Sequence, residues 1–104
     1  MNKQKLTELA SVIRSKNSGP YELTFDIIFP DRAKFDLAVH SGVFVPELFA
    51  RLYQVPLENV LGVVVYPPAL AIKATILRPV VAGAVGDTDV YGAQQHGPLL
   101  DILV

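Results

Sequence analysis

The chain has 104 residues, the size of one domain with a core of its own; 51% of them are hydrophobic and 18% are charged. It contains no cysteine, which excludes disulfides, thiolate metal sites and thiol nucleophiles. Nine basic and ten acidic residues nearly balance, so the sequence lacks the excess positive charge that nucleic-acid binding requires.

The N-terminal segment MNKQK is polar, and no apolar run typical of a secretory signal follows it. The longest uncharged run in the middle of the chain, 59–72, is interrupted by Pro67 and Pro68. It is shorter than the ~20 residues of a helix that spans a bilayer. We therefore expect a cytoplasmic protein that does not span a membrane.

The first third of the chain predicts two strands joined by a loop. In LTELASVIR, Leu6, Leu9 and Ile13 fit helical spacing, but alternate positions also fit a strand, and we favour the strand. The turn-forming residues of SKNSGP, 15–20, predict a loop. In YELTFDIIF, 21–29, apolar and polar residues alternate, which predicts a second strand.

Two helices and two further strands follow. Asp31 is placed to cap the first helix, and Pro46 starts the second. NVLGVVVY, 59–66, is β-branched and apolar on both faces, which predicts a central strand covered on both sides. ALAIKATIL, 69–77, predicts another strand, and the apolar end LLDILV, 99–104, predicts an edge strand or a segment docked elsewhere.

This order of elements predicts an α+β fold, a compact sandwich in which a mainly antiparallel sheet carries two helices on one face. We expect a single domain over residues 1–104, in which 79–104 form an irregular polar tail. The polar part of that tail is GDTDVYGAQQHGPLL, 86–100.

Three stretches resemble the family catalogued as domain of unknown function 4387: LASVIRSKNSGPYELTFDI, VLGVVVYPPALAIKATILRP and GDTDVYGAQQHGPLLDI. That family is similar to the small C-terminal ferredoxin-fold domain of acyclic terpene utilisation proteins of the AtuA type. The resemblance implies a ferredoxin-like fold and a role as the small accessory subunit of a larger AtuA-like protein. It also implies carboxylic-acid or acyl catabolism, but it supplies no catalytic residues. We expect a non-catalytic or composite-site subunit of a lyase- or hydratase-type enzyme rather than an enzyme that acts alone.

The segment RSKNSGP is a candidate anion site. Arg14 and Lys16 lie beside the backbone amides of Asn17, Ser18 and Gly19, and successive amides in a turn can hold a carboxylate or a phosphate. The alternative, which we favour, is an ordinary connection between strands with solvated charges.

Asp26 and Lys73 each interrupt an apolar strand. If the two strands are neighbours, the residues form a cross-strand ion pair, and we favour this structural role. A catalytic Lys73 would have to be buried to act as a base or as a Schiff-base amine.

Asp87, Asp89 and His96 are candidate ligands of a divalent metal, but no helical or strand period places them on one face. We therefore expect neither a metal nor another cofactor. His96 or Asp89 is alternatively the general base of a small autonomous hydratase or lyase.

We interpret the polar tail as a recognition segment. Tyr91, Gln94, Gln95 and His96 offer an aromatic face together with hydrogen-bond donors and acceptors. We expect a site or interface shared with the larger subunit or with a second copy of the chain, and a small carboxylate or acyl molecule as ligand. Its expected contributors are Arg14, Lys16, Tyr91, Gln94 and His96. A homo-oligomeric protein that binds carboxylates is the remaining alternative.

Overall fold

The structure, a computed structural model, describes residues 4–18, 21–77 and 97–104. Its helices are α1 (Leu6–Leu9), α2 (Arg32–His40) and α3 (Pro46–Tyr53). Its strands are β1 (Val12–Asn17), β2 (Glu22–Ile28), β3 (Val60–Tyr66) and β4 (Ala71–Leu77). Short 3₁₀ turns cover Leu57–Asn59, Pro67–Ala69 and Gly97–Asp101.

The four strands form one antiparallel sheet in the order β1-β2-β4-β3. The pairs β1-β2 and β3-β4 are neighbours in sequence, and α2 and α3 connect β2 to β3. The predicted α+β class is therefore confirmed. From β1 onward, the strands and longer helices follow the order ββααββ. A ferredoxin-like fold has the order βαββαβ, so the element order does not show the ferredoxin-like fold that we expected.

Alternation of apolar side chains gives the sheet one buried face, called here the inner face. Its central residues, each at most 2% exposed, are Leu23, Phe25, Ile27, Ile72, Ala74 and Ile76. Both longer helices pack on it: the Phe49 ring of α3 stacks 5.9 Å from the Phe25 ring, and the Phe35 ring of α2 lies edge-on, 6.1 Å from the Phe29 ring. Buried aromatic side chains therefore join the two layers.

Local signals in the sequence place both longer helices. The Asp31 carboxylate accepts a hydrogen bond from the Lys34 backbone N–H at 2.9 Å, which confirms it as the cap of α2. Pro46 occupies the first turn of α3, also as predicted, and Gln54 ends that helix in a left-handed conformation with φ 54°.

Among the described residues, no helix is long and apolar enough to cross a membrane.

The N-terminal segment differs from its prediction in two ways. Leu6–Leu9 form one helical turn instead of a strand, because Leu6 and Leu9 then share a face and both are buried in the core. The following strand runs to Asn17, so the predicted loop starts three residues later than expected. Pairing of Ser15 with Phe25 and of Asn17 with Leu23 overrides the turn preference of these side chains.

The prediction of a central position for the apolar strand 59–66 is wrong. Among the described residues this strand is β3, which pairs with β4 alone and therefore lies at an edge of the described sheet. Its side chains Leu61, Val64, Val65 and Tyr66 are all exposed. Apolarity on both faces thus does not mark a central strand here.

The C-terminal segment docks against the N-terminal one. Gln4 and Val104 exchange two backbone hydrogen bonds of 3.0 and 2.7 Å, and the Leu6 N–H donates to the Ile102 carbonyl at 2.8 Å. Leu99 and Ile102 are buried in the same core as α1. Of the tail predicted for 79–104, residues 97–104 thus close the core, and 79–96 lie outside the described residues.

We expect Leu99→Ala to lower the free energy of unfolding by about 2–5 kcal/mol, because Leu99 is fully buried and its loss leaves a cavity. The neighbouring Leu100, 39% exposed, is the matched control, and Leu100→Ala should change stability by less than about 1 kcal/mol. Urea denaturation of the two variants and the parent measures both values. Equal effects at the two positions would show that the C-terminal segment is not part of the core.

Burial raises the pKa of the Tyr53 hydroxyl above its usual value of about 10. The folded protein therefore keeps this proton to a higher pH than the unfolded chain does, so the free energy of unfolding falls as the pH rises above about 10. We expect Tyr53→Phe to reduce this fall and Tyr21→Phe, at an exposed tyrosine, to leave it unchanged. Urea denaturation at a series of alkaline pH values tests this, and equal pH slopes for the two variants would contradict it.

Candidate functional site

The face of the sheet opposite α2 and α3, called here the outer face, carries charged and hydroxyl side chains. Directly paired residues of antiparallel strands point to the same face, so the register arranges these side chains in rows across the sheet. One row is Arg14, Asp26, Lys73 and Val64, and the next is Lys16, Thr24, Thr75 and Gly62. Residues from all four strands therefore meet on this face.

Asp26 lies in the middle of the outer face, between two cations. Its Oδ2 accepts a hydrogen bond from Arg14 Nε at 3.1 Å, and its Oδ1 lies 3.9 Å from Lys73 Nζ. The Asp26 side chain is 4% exposed, whereas those of Arg14 and Lys73 are 58% and 51% exposed. The carboxylate is thus buried beneath two cations that reach solvent, and the predicted ion pair of Asp26 with Lys73 is confirmed.

This arrangement stabilises the sheet. Taking a carboxylate out of water is costly unless opposite charges and hydrogen bonds compensate, and here a cation from each neighbouring strand does so. The buried Oδ1 of Asp26 has no hydrogen-bond partner in the part of the chain that the structure describes, so Lys73 acts on it as a nearby charge. The burial that a base or Schiff-base role of Lys73 would need is not observed.

A depression of about 400 Å³ lies on the outer face beside this ion pair. We call it the Gly62 depression; its walls are Glu22, Thr24, Leu61, Gly62, Val64, Lys73 and Thr75. The register of β3 against β4 shifts between Val60 and Gly62, and Gly62 then faces Thr75. A bulge and a residue without a side chain therefore leave space between Leu61 and Val64.

The centre of the Gly62 depression is polar and its β3 side is apolar. The hydroxyl oxygens of Thr24 and Thr75 lie 3.5 Å apart, at hydrogen-bond distance. Lys73 Nζ stands 6.0 Å from the centre of the Tyr66 ring, which holds this cation near the rim. The depression thus combines one cation, one carboxylate, two hydroxyl groups and aliphatic walls.

A second depression, of about 380 Å³, lies between α3 and the C-terminal segment. Its walls are Val43, Leu48, Arg51, Leu52, Asp101, Ile102 and Leu103. Arg51 and Asp101 contribute opposite charges, and the remaining side chains are aliphatic. This depression therefore favours neither an anion nor a cation.

Of the segment 14–19 that was predicted as an anion site, residues 14–17 lie in β1 instead of a loop, and Gly19 lies outside the described residues. Arg14 and Lys16 point to the outer face from β1, while Asn17 is paired with Leu23 and points to the inner face. The Ser18 N–H, one of the amides that such a site requires, donates to the Glu22 carbonyl at 2.9 Å. What the structure brings together instead is Arg14, Asp26 and Lys73.

The remaining predicted site residues lie outside the described residues: Asp87, Asp89, Tyr91, Gln94, Gln95 and His96. In residues 4–18, 21–77 and 97–104, no three His, Asp or Glu side chains are grouped so that they could hold a metal ion. Thr24, Gly62 and Thr75 were not among the site residues predicted from the sequence. A signal for Gly62 was present, since an isolated glycine within an apolar strand is typical of a bulge.

We expect Arg14→Met to lower the free energy of unfolding by about 1–3 kcal/mol, because the buried Asp26 carboxylate then loses its hydrogen-bond donor. Lys16 lies on the same face of β1 and is exposed, so Lys16→Met is the matched control, with an expected change within about 0.5 kcal/mol. Urea denaturation compares the two variants. Equal stabilities would contradict the stabilising role of the Arg14 pair.

Comparison with known proteins identifies the family of this chain. The family model described as Domain of unknown function (DUF4387) matches residues 6–103. Neither a curated protein nor a solved structure matches the chain. The matched range includes α1, the four strands and the C-terminal turn that closes the core. The chain therefore belongs to the DUF4387 family, a domain of unknown function.

Proposed function

We propose that this chain is a small accessory subunit that binds a larger protein through its edge strand β3. The observation that carries the proposal is the exposed apolar surface of that strand, where Leu61, Val64, Val65 and Tyr66 are 41–57% exposed. Native proteins protect an exposed strand edge with charges, prolines within the strand or a covering element. β3 contains neither a charged residue nor a proline.

The opposite edge of the sheet supports this interpretation. Its strand, β1, carries Arg14 and Lys16, two exposed cations that discourage pairing with another strand. The two edges of one sheet thus differ in charge, and β3 is the edge suited to a partner. Tyrosine is also enriched in protein interfaces, whose buried centres are depleted of charged residues.

A partner strand added beside β3 would extend the sheet by backbone hydrogen bonds, while its side chains would contact Val64 and Tyr66 on one face and Val65 on the other. The Pro67–Ala69 turn limits the length of this contact at one end of the strand.

The family resemblance indicates an AtuA-type protein of carboxylic-acid or acyl catabolism as the partner. Tyr91, Gln94 and His96 stay predicted contributors to a site shared with it.

The experiment is affinity capture of the tagged chain from the cells that naturally express it, followed by native mass determination. We expect a complex with one larger AtuA-type protein. In the double variant Val64→Lys with Tyr66→Lys, we expect the affinity to fall roughly tenfold or more, since charges at the centre of an apolar interface are costly.

The matched control is the double variant Leu37→Lys with Tyr21→Lys, which adds the same two lysines at exposed positions away from β3. It should retain the partner. Circular dichroism checks that both variants are folded. Recovery of the chain by itself, or equal retention of the partner by the two double variants, would contradict the proposal.

A further inference from the structure

We infer that the Gly62 depression binds a small monocarboxylate with a short alkyl chain. The carboxylate lies at the Lys73 ammonium group, and the alkyl chain lies against Leu61 and Val64. This inference goes beyond the accessory role and does not depend on it, because every wall residue belongs to this chain.

The space is available without rearrangement. The volume of about 400 Å³ falls within the range of small-molecule sites, about 300–1,000 Å³. If Gly62 carried a Cβ atom, no other atom would lie within 4 Å of it. The space next to the Gly62 backbone is therefore open. The bulge at this position fixes the space between Leu61 and Val64.

Lys73 is the group that selects an anion. Its counter-charge, Asp26, already accepts a hydrogen bond from Arg14, and the 3.9 Å between Asp26 Oδ1 and Lys73 Nζ exceeds hydrogen-bond length. The three ammonium protons of Lys73 have no hydrogen-bond acceptor among the described side chains, and the ammonium is half-exposed at the rim of the depression. A carboxylate at this rim would accept charge-assisted hydrogen bonds from it.

The hydroxyl pair adds a second anchor for the same group. Thr24 and Thr75 lie one row along the strands from Asp26 and Lys73, and their hydroxyl oxygens share one hydrogen bond. In such a pair one hydroxyl donates and the other keeps a proton for an external acceptor. The carboxylate therefore meets the Lys73 ammonium group and one hydroxyl proton of the Thr24–Thr75 pair.

The far end of the depression restricts the ligand. Glu22 lies there, one row beyond Thr24 and two rows from the Asp26–Lys73 pair, and its carboxylate disfavours a second negative charge on the ligand. Leu61 and Val64 are 49% and 57% exposed, and an alkyl chain that covers them gains hydrophobic contact. The expected ligand therefore has one anionic end and one apolar end.

The experiment is a titration of the full-length ¹⁵N-labelled chain with butyrate, followed by amide chemical shifts. We expect saturable shifts at Gly62, Val64, Lys73 and Thr75. Butanol, which has the same chain length without the charge, should produce no saturable shifts. Succinate should bind no more tightly than butyrate, whereas simple attraction between charges would favour the dianion.

Three variants complete the test. Lys73→Met keeps the aliphatic stem and should weaken butyrate binding at least tenfold, while Lys16→Met, a lysine on the same face outside the depression, should leave it unchanged. Gly62→Val fills the depression at a position without steric conflict and should abolish the shifts. The ¹⁵N spectra show directly whether each variant is folded.

The inference fails if butyrate shifts persist in Lys73→Met, if Lys16→Met weakens them equally, or if no saturable shift occurs around Gly62. These results do not depend on capture of a larger protein. The two proposals are therefore separately testable.

Discussion

Pairing of β2 with β4 determines both faces of this protein. The two strands form the centre of the sheet, and their shared register places Phe25 opposite Ala74 on the inner face and Asp26 opposite Lys73 on the outer face. Because side chains alternate along a strand, a single pairing fixes the hydrophobic core and the polar row at once. The aromatic packing of α2 and α3 and the ion pairs of the outer face are two consequences of one register.

The same pairing creates the feature on which the functional proposals rest. Since β4 follows β3 in sequence but lies between β3 and β2 in space, β3 is left at the edge of the described sheet, although it is the most uniformly apolar of the described strands. Its outward residues form one wall of the Gly62 depression, and its edge is the surface proposed for the larger partner. A subunit docked on β3 would therefore lie beside the depression. A ligand held there would be close to residues of both chains.

The parts of the fold that depend on neighbours in sequence were predictable. Asp31 and Pro46 mark helix starts by local hydrogen bonding and backbone geometry, and alternation in 22–28 identifies β2. The ion pair of Asp26 with Lys73 was predicted on condition that their strands are neighbours. The edge position of β3, the extension of β1 through Asn17 and the docking of Leu99 depend on long-range pairing and packing, which periodicity does not contain. For the same reason, Thr24, Thr75 and Gly62 could not be grouped from their separate positions in the sequence.

The buried Asp26 carboxylate also opposes incorrect registers. A one-residue slip of β2 would move Asp26 to the inner face, among Phe49 and the other rings, where no cation is present among the described core residues. A two-residue slip would keep Asp26 on the outer face but pair it with Thr75 or Ala71 instead of Lys73. Both slips separate the Asp26 carboxylate from at least one of its two cations. Asp26 therefore favours the native register, even where an apolar residue of similar size would add more stability. The register is also what brings Thr24, Thr75 and Gly62 into one row. The charge at the centre of the sheet thus helps to position the depression beside it.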